Sequence, residues 1–376
     1  MHQDRKLVFC DGSRIMIEAL AGAGASVYIG YPITPANWLY AYASQRFPTF
    51  LAAPDEISAL QWAAGFSSTG QLPVTATSFP GFALMLESLN MAFMMELPLV
   101  IILAQRLGPS TGSATTGAQG DLLLLRGAIS GGHPLPVLCP ADFIDCWHLA
   151  ARAAVTAREL RTPVVLLTSK EMIMTSRSFD LSLLPPIVQG QLPSFENNGS
   201  YLPYRAGESR VPPFLPVGNT RHQVRLNAST HDHSGLIRKD SPESLANTMR
   251  LREKIEQRVA EFTFYHYDAE GEADTLVVTY GISSDAAREA VSNLRARGEK
   301  VSLLILKTLI PIPPPVFQIF EQYAQLLFVE ENLNGQLKEL CFGQRSPSAL
   351  RSLNKIGKMI TPEEIVEEVM LCKQVF

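Results

Sequence analysis

The chain has 376 residues, 46% hydrophobic and 18% charged, enough for two domains with cores of their own, which excludes a generally disordered protein. A formal net charge of -4 offers no broad cationic field, so neither nucleic acid nor an anionic membrane is expected as the main partner. No stretch reaches the roughly 20 continuous apolar residues that cross a bilayer, residues 1–6 are charged with no signal-peptide core behind them, and a cytoplasmic protein is expected.

From residue 12 to about 170, short unbroken apolar runs alternate with helix-like stretches, the rhythm of a parallel sheet covered on both faces. The expected strands are 26–30, 50–53, 74–77, 97–104, 134–138 and 162–168, and the expected helices are 13–22, 36–46, 56–69, 82–96 and 141–159. From about Ser182 the texture changes. Pro185, Pro186, Pro203, Pro212, Pro213 and Pro216 interrupt every period, so this segment reads as a connector, overlapping at its end a helix over 242–262. A second α/β unit follows, with strands 275–279, 301–306 and 326–330 and helices 285–297, 315–323 and 335–341. Its turn from Tyr280 through Gly281, Ser283 and Ser284 to Asp285 offers a hydroxyl helix cap and an acidic first turn. The expected division of the chain is 1–181, 182–262 and 263–376. Five cysteines, Cys10, Cys139, Cys146, Cys341 and Cys372, form no CxxC pair and read as reduced, packed thiols, so an iron–sulfur or zinc centre would have to sit in another chain.

In open parallel sheets, ligands bind beyond the carboxyl ends of the strands, and three such loops carry candidate residues. In Gly30-Tyr31-Pro32-Ile33-Thr34-Pro35, two prolines hold one threonine hydroxyl in place, as a substrate-positioning donor requires; a purely structural turn has the same composition. In Pro54-Asp55-Glu56, a carboxylate precedes a mostly apolar helix, where it can share a proton with a bound base or simply favour the helix start. In Gln105-Arg106-Leu107-Gly108-Pro109-Ser110-Thr111-Gly112, an arginine leaves an apolar strand into a Gly/Ser/Thr loop, placed to fork onto a carboxylate unless it is merely solvated.

Together these segments resemble the alpha subunit of the 2-oxoacid:ferredoxin oxidoreductases, nearest in motif to the 2-oxoglutarate type. The resemblance is carried by GYPITPAN at Gly30–Asn37, DEISALQWAAGFSSTG at Asp55–Gly70, TATSFPGFALMLESLN at Thr75–Asn90, QRLGPSTG at Gln105–Gly112 and AQGD at Ala118–Asp121, and it extends to EENLNGQL at Glu330–Leu337. It implies an α/β fold: a thiamine-diphosphate-binding-type parallel sheet domain, the pyrimidine-binding half, followed by a smaller transketolase C-terminal-like α/β domain. By position, Glu56 matches the glutamate that hydrogen-bonds N1′ of the cofactor's aminopyrimidine and is the expected catalytic residue. Thr34 and Arg106 match residues that contact the substrate and its carboxylate, with Ser110 and Thr111 beside them. Tyr31, Pro32 and Ser78 are expected to line the cofactor site.

The implied reaction is coenzyme A-dependent oxidative decarboxylation of a 2-oxoacid to an acyl-CoA and carbon dioxide, with electrons passed to ferredoxin. The chain lacks the GDG-then-Asn signature for Mg²⁺ and diphosphate and lacks cluster ligands, so the resemblance implies a beta subunit that holds Mg²⁺ and a [4Fe-4S] centre, shares the thiamine diphosphate, and assembles as an (alpha-beta)2 heteromer. 2-Oxoglutarate is the favoured substrate. Phe79 stands where the family usually has glycine, however, which keeps a branched-chain or aryl 2-oxoacid open. A dicarboxylate needs a second cation, for which Arg126 and His133 are the candidates. A non-oxidative 2-oxoacid decarboxylase subunit and a non-catalytic scaffold are the competing readings. His231 and His233, in a proline-rich segment without further ligands nearby, read as packing or hydrogen-bonding residues in preference to a metal site.

Overall fold

The computed structural model describes residues 6–196, 199–344 and 349–373, the side chains of 372 and 373 excepted, so residues 1–5 and the Cys372 thiol lie outside the described part. Strand β1 (Leu7–Cys10) and helix α1 (Gly12–Gly22) lead into β2 (Val27–Gly30), α2 (Asn37–Arg46), β3 (Thr49–Ala52), α3 (Glu56–Ser68), β4 (Pro73–Thr77), α4 (Phe79–Met94) and β5 (Leu99–Gln105). The short α5 (Leu122–Arg126), then β6 (Val137–Leu138), α6 (Phe143–Leu160), β7 (Pro163–Ser169), α7 (Lys170–Met174) and β8 (Arg177–Asp180) complete the first part. After the connector come α8 (Pro242–Gln257), β9 (Tyr265–Asp268), β10 (Thr275–Tyr280), α9 (Ser283–Ala296), β11 (Val301–Leu306), β12 (Thr308–Ile310), α10 (Pro314–Phe320), β13 (Gln325–Glu330), α11 (Gln336–Phe342), β14 (Leu350–Asn354) and α12 (Pro362–Lys373).

The unbroken apolar runs do become strands covered on both sides: every residue of β2, β4, β5 and β7 is buried. They pair in parallel within a seven-stranded sheet of order β12-β6-β7-β5-β4-β2-β3. Because β3 lies on one side of β2 and β4 on the other, the connections diverge between β2 and β4, and the crevice that this creates opens at their carboxyl ends. The second sheet has order β14-β13-β10-β11-β9, with only β9 antiparallel.

Three departures from expectation have physical causes. The apolar run 301–310 is not one strand: Val301–Leu306 belongs to the second sheet, the chain turns at Lys307, and Thr308–Ile310 pairs antiparallel with β6 at the edge of the first sheet. Helix α4 begins at Phe79, before the expected 82, since Pro80 occupies its first turn, where the missing N–H costs nothing. The Ser283 hydroxyl does not cap α9; it reaches Gln119 of the first unit instead.

The connector is ordered by buried charge. Arg161, left-handed at the end of α6 with φ 45° and fully buried, donates through one guanidinium nitrogen to the carbonyls of Pro203, Pro212 and Pro213. Glu96, also fully buried, is gripped by Arg250 and by Lys254 at 2.7 Å, both on α8. Burial alone would raise the Glu96 carboxyl; the two cations hold it well below the usual carboxylate range.

Candidate functional site

The carboxyl ends of β2, β3, β4 and β5, adjacent in the sheet, deliver Thr34, Glu56, Ser78 and Arg106 respectively to one edge. Asp55 has extended backbone and caps α3, its Oδ1 accepting the Ser58 N–H at 2.7 Å, so Glu56 is fixed as the first helical residue. Glu56 is 6% exposed, and among the described residues none hydrogen-bonds its carboxylate. The carboxylate lies against Gly81 in the first turn of α4, where a Cβ would collide with Glu56 Oε1 and with Thr77 Oγ1. Glycine is therefore required here by the close approach of two helix starts. The Ser78 hydroxyl, wholly buried at the same turn, has no partner and does not cap α4.

Arg106 ties two of these loops together. Its Nη1 donates to the Thr34 carbonyl at 2.6 Å, while the Thr34 hydroxyl accepts from Asn37 at 3.2 Å, so the loop after β2 is held from both ends. Arg106 Nε is buried without a partner, and desolvation lowers the guanidinium's proton affinity against the pull of Asp121. Asp121 is 5% exposed; among the described residues its carboxylate has no hydrogen-bond partner, and burial raises it to about 7 despite the opposing effect of Arg106. Between them, the loop after β5 closes on itself through a Leu107–Ser113 bridge, and Gly112, at φ 50°, faces the Leu107 carbonyl, where a Cβ has no room. Ser110 and Thr111 are exposed at its tip, as Tyr31 and Pro32 are in the loop after β2.

A cavity of about 560 Å³ lies beside this edge, where the second unit closes over the first; its lining includes Arg106, Phe79, Asp121, Glu331, Leu333 and Ile356. Of the residues singled out from sequence for the site, Arg106 lines it; Glu56 approaches the same region from behind α4, two residues from the lining Phe79. Thr34 joins through its bond to Arg106, while Ser78, Tyr31, Pro32, Ser110 and Thr111 are outside the lining. Neither Arg126, exposed at the end of α5, nor His133 reaches it, so the expected second cation is not at this cavity. A larger hollow of about 750 Å³ involves none of these strand-end residues, and its Lys307 and Asp145 satisfy one another at 2.6 Å.

The two units are clasped at Gln119, 1% exposed. Its amide oxygen accepts from Ser283 at 2.8 Å and from the Glu331 N–H at 2.7 Å, and its amide nitrogen donates to the Tyr280 carbonyl at 2.7 Å. Its backbone N–H donates to the Glu331 carbonyl at 2.8 Å, and its carbonyl accepts from Tyr280 and Asn332, each at 3.1 Å. The side-chain amide of Gln336 adds bonds to Gly120 and Leu123.

Comparison with known proteins decides the family. The family described as pyruvate flavodoxin/ferredoxin oxidoreductase, thiamine diphosphate-binding, matches residues 18–250, and the pyruvate:ferredoxin oxidoreductase core domain II matches 273–365. The chain is an alpha subunit of the 2-oxoacid:ferredoxin oxidoreductases. It is 30% identical to the 2-oxoglutarate synthase subunit KorA of Archaeoglobus fulgidus, over 95% of this chain and 97% of that one. It is also 29% identical to the ketoisovalerate oxidoreductase subunit VorB of Methanothermobacter thermautotrophicus, over 95% of this chain and 96% of that one. Among solved structures, the 2-oxoglutarate:ferredoxin oxidoreductase of Magnetococcus marinus, with 2-oxoglutarate, coenzyme A and succinyl-CoA bound, superposes with a TM-score of 0.91 at 28% identity. That match covers 98% of this chain and 65% of the longer one. A split-gene transketolase matches at TM-score 0.55 and 15% identity, which shows a shared fold.

The residues of this oxidoreductase subunit fit the pyrimidine end of thiamine diphosphate. A nearly buried, unpartnered carboxylate at a capped helix start faces backbone stripped of Cβ, and an unpartnered hydroxyl sits at the neighbouring turn. Among the described residues there is no group of three or more metal-ligating side chains. His231 is buried against Tyr204 with ring centroids 3.8 Å apart and its Nδ1 on the Ser229 carbonyl at 2.6 Å, and His233 pairs with Glu243 at 2.9 Å. No helix among the described residues is long and apolar enough to cross a membrane. The sequence reading did not single out Asp121, Gln119 and Glu331 as functional, although all three lie within its quoted motifs; their roles depend on burial by the opposite unit.

Proposed function

We propose that this chain supplies the pyrimidine-side and substrate-carboxylate half of an active site that a beta subunit completes, in a complex oxidatively decarboxylating a 2-oxoacid. In the overall reaction, 2-oxoacid, coenzyme A and two oxidised ferredoxins give acyl-CoA, carbon dioxide, a proton and two reduced ferredoxins. The observation that carries this reading is the unpartnered Glu56 carboxylate, held at the start of α3 against Gly81. It is poised to hold a proton on N1′ of the aminopyrimidine, the general-acid role for which a desolvated carboxylate is suited. Thiamine diphosphate, when bound, contributes the carbon that attacks the 2-oxo group. Arg106, its position fixed by the Thr34 carbonyl, orients the substrate through its carboxylate, and Thr34 keeps the adjacent loop rigid.

The partner would contribute Mg²⁺, the diphosphate site and the [4Fe-4S] centre, from which ferredoxin draws electrons. Support for a partner comes from the outer faces of α3 and α4, where Ile57 and Trp62 are each 42% exposed and Leu84 is 51% exposed, next to Glu56. An (alpha-beta)2 heteromer is the assembly proposed.

The relatives' names point to 2-oxoglutarate. The cavity favours a second reading, since Arg106 is the one cation in its lining, Asp121 and Glu331 would repel a distal carboxylate, and Phe79, Leu333 and Ile356 are apolar. A branched-chain or aryl 2-oxoacid fits that lining unless the partner brings a cation. The test is co-purification with the beta subunit under anoxic conditions, followed by viologen or ferredoxin reduction with pyruvate, 2-oxoglutarate, 2-oxoisovalerate and phenylglyoxylate, with and without coenzyme A. Coenzyme A-dependent reduction by one of these acids is expected, with Glu56→Gln lowering turnover by about hundredfold or more. Carbon dioxide release without electron transfer would mean a non-oxidative decarboxylase, and full turnover by the Glu56→Gln complex would mean a scaffold.

A further inference from the structure

Asp121 and Arg106 form an unusual arrangement: two oppositely charged, 5%-exposed side chains line one cavity and do not pair with each other. No ion pair within 4.0 Å joins them, and neither oxygen of Asp121 has a hydrogen-bond partner among the described residues. The reason lies in the backbone around Asp121. On one side Gln119 is locked to Tyr280, Ser283, Glu331 and Asn332, and on the other the Gln336 amide holds both the Gly120 carbonyl and the Leu123 N–H. Arg106 is meanwhile drawn to the Thr34 carbonyl. Each group is held in place by a different part of the fold, and the gap between them remains. An unpaired buried acid next to an unpaired buried guanidinium is costly in a structure that uses neither, and a guest anion satisfies both if the acid carries a proton.

We propose that Asp121 is a second anchor for the substrate carboxylate, donating from its protonated carboxyl to the anion that Arg106 grips. The proposal rests on the reading of Arg106 as the carboxylate-binding residue. It makes substrate binding a proton-linked event: with Asp121 ionised, its charge competes for Arg106 and repels the incoming carboxylate, whereas with Asp121 protonated the site is cationic and offers one more donor. Burial places this switch near neutrality, because Asp121 titrates at about 7. The groups facing Asp121 are Arg106 at the end of β5, Glu331 and Tyr280 from the second unit, and Glu330, Lys338 and Glu339 at or near α11; Arg126 ends its own helix. Glu331 is the rival titrating group, since burial lifts it also to about 7.

The sign follows directly. A 2-oxoacid is ionised throughout the neutral range, so the protonated site binds it and the ionised site does not. KM is expected to be lowest below about pH 7 and to rise above it by up to about tenfold per unit, the slope for one linked proton. In Asp121→Asn the amide is a permanent donor that cannot ionise, so KM should stay flat from pH 6 to 8.5 with kcat retained. Asp121→Leu, without the donor, should raise KM about ten- to hundredfold at every pH. Glu331→Gln should keep the wild-type slope.

The binding counterpart uses the alpha–beta complex and oxamate, an unreactive carboxylate analogue, titrated calorimetrically at pH 7.5 in buffers of different ionisation enthalpy. The wild type should take up a fraction of a proton on binding and Asp121→Asn none. A wild-type slope in Asp121→Asn, a slope abolished by Glu331→Gln, or oxamate binding without proton uptake would each overturn the proposal while leaving Arg106 in its role. If Arg106→Met binds oxamate as tightly as the wild type, the parent reading of Arg106 fails as well. Comparable melting curves for Asp121→Asn and the wild type establish that an effect on KM is not misfolding.

Discussion

Two regions of the molecule bury charge, and they treat it in opposite ways. Under the connector, Glu96 has Arg250 and Lys254, and Arg161 has three proline carbonyls; the acid is matched by cations and the guanidinium by acceptors. At the carboxyl edge of the first sheet, the Glu56 and Asp121 carboxylates have no hydrogen-bond partner among the described residues, and Arg106 has a single carbonyl. Stability alone accounts for the first region, because breaking such a set leaves a buried charge uncompensated. It does not account for the second, where buried groups are held short of partners that the fold could have supplied. Unmet polar capacity, more than burial or charge, marks where a ligand belongs.

This contrast can be broken by substitution. Glu96→Gln strands two buried cations and should cost about 3–5 kcal/mol, read as a fall in the urea midpoint. Glu56→Gln should leave that midpoint where it is while abolishing most turnover; a large stability loss there would put the carboxylate in the same class as Glu96. Gln119→Leu deprives Tyr280, Ser283 and Glu331 of buried partners and is expected to lower stability by about 2 kcal/mol, with KM raised because Asp121 loses its anchor. His231→Phe preserves the ring contact with Tyr204 and gives up one bond to Ser229, so a change of about 1 kcal/mol or less is expected, and chelators should not alter the melting curve of the wild type.

Much of the first sheet was readable in the sequence, since strands buried on both faces are continuous apolar runs and β4, β5 and β7 fall within a few residues of expectation. The loops at their carboxyl ends were equally readable, because a proline-framed threonine, an acidic helix start and an arginine in a glycine-rich loop are local signals. What was not legible is long-range. Lys307 divides one apolar decad between two sheets, and no period within 301–310 marks the division. The strand pair of β1 with β8 joins segments about 170 residues apart, so neither announces the other. Asp121 looks like any polar residue ahead of a leucine run until Gln119 and the second unit close over it.

The turn at Lys307 also governs how the chain comes apart. Since one continuous segment is stitched first into the second sheet and then into the first, the halves cannot swing open like a hinge without ripping Thr308–Ile310 from β6. Severing the backbone in the proline-rich stretch should therefore leave a nicked particle that runs as a single species under native conditions. Any doorway for substrate must then be made by the companion polypeptide, not by this chain parting from itself.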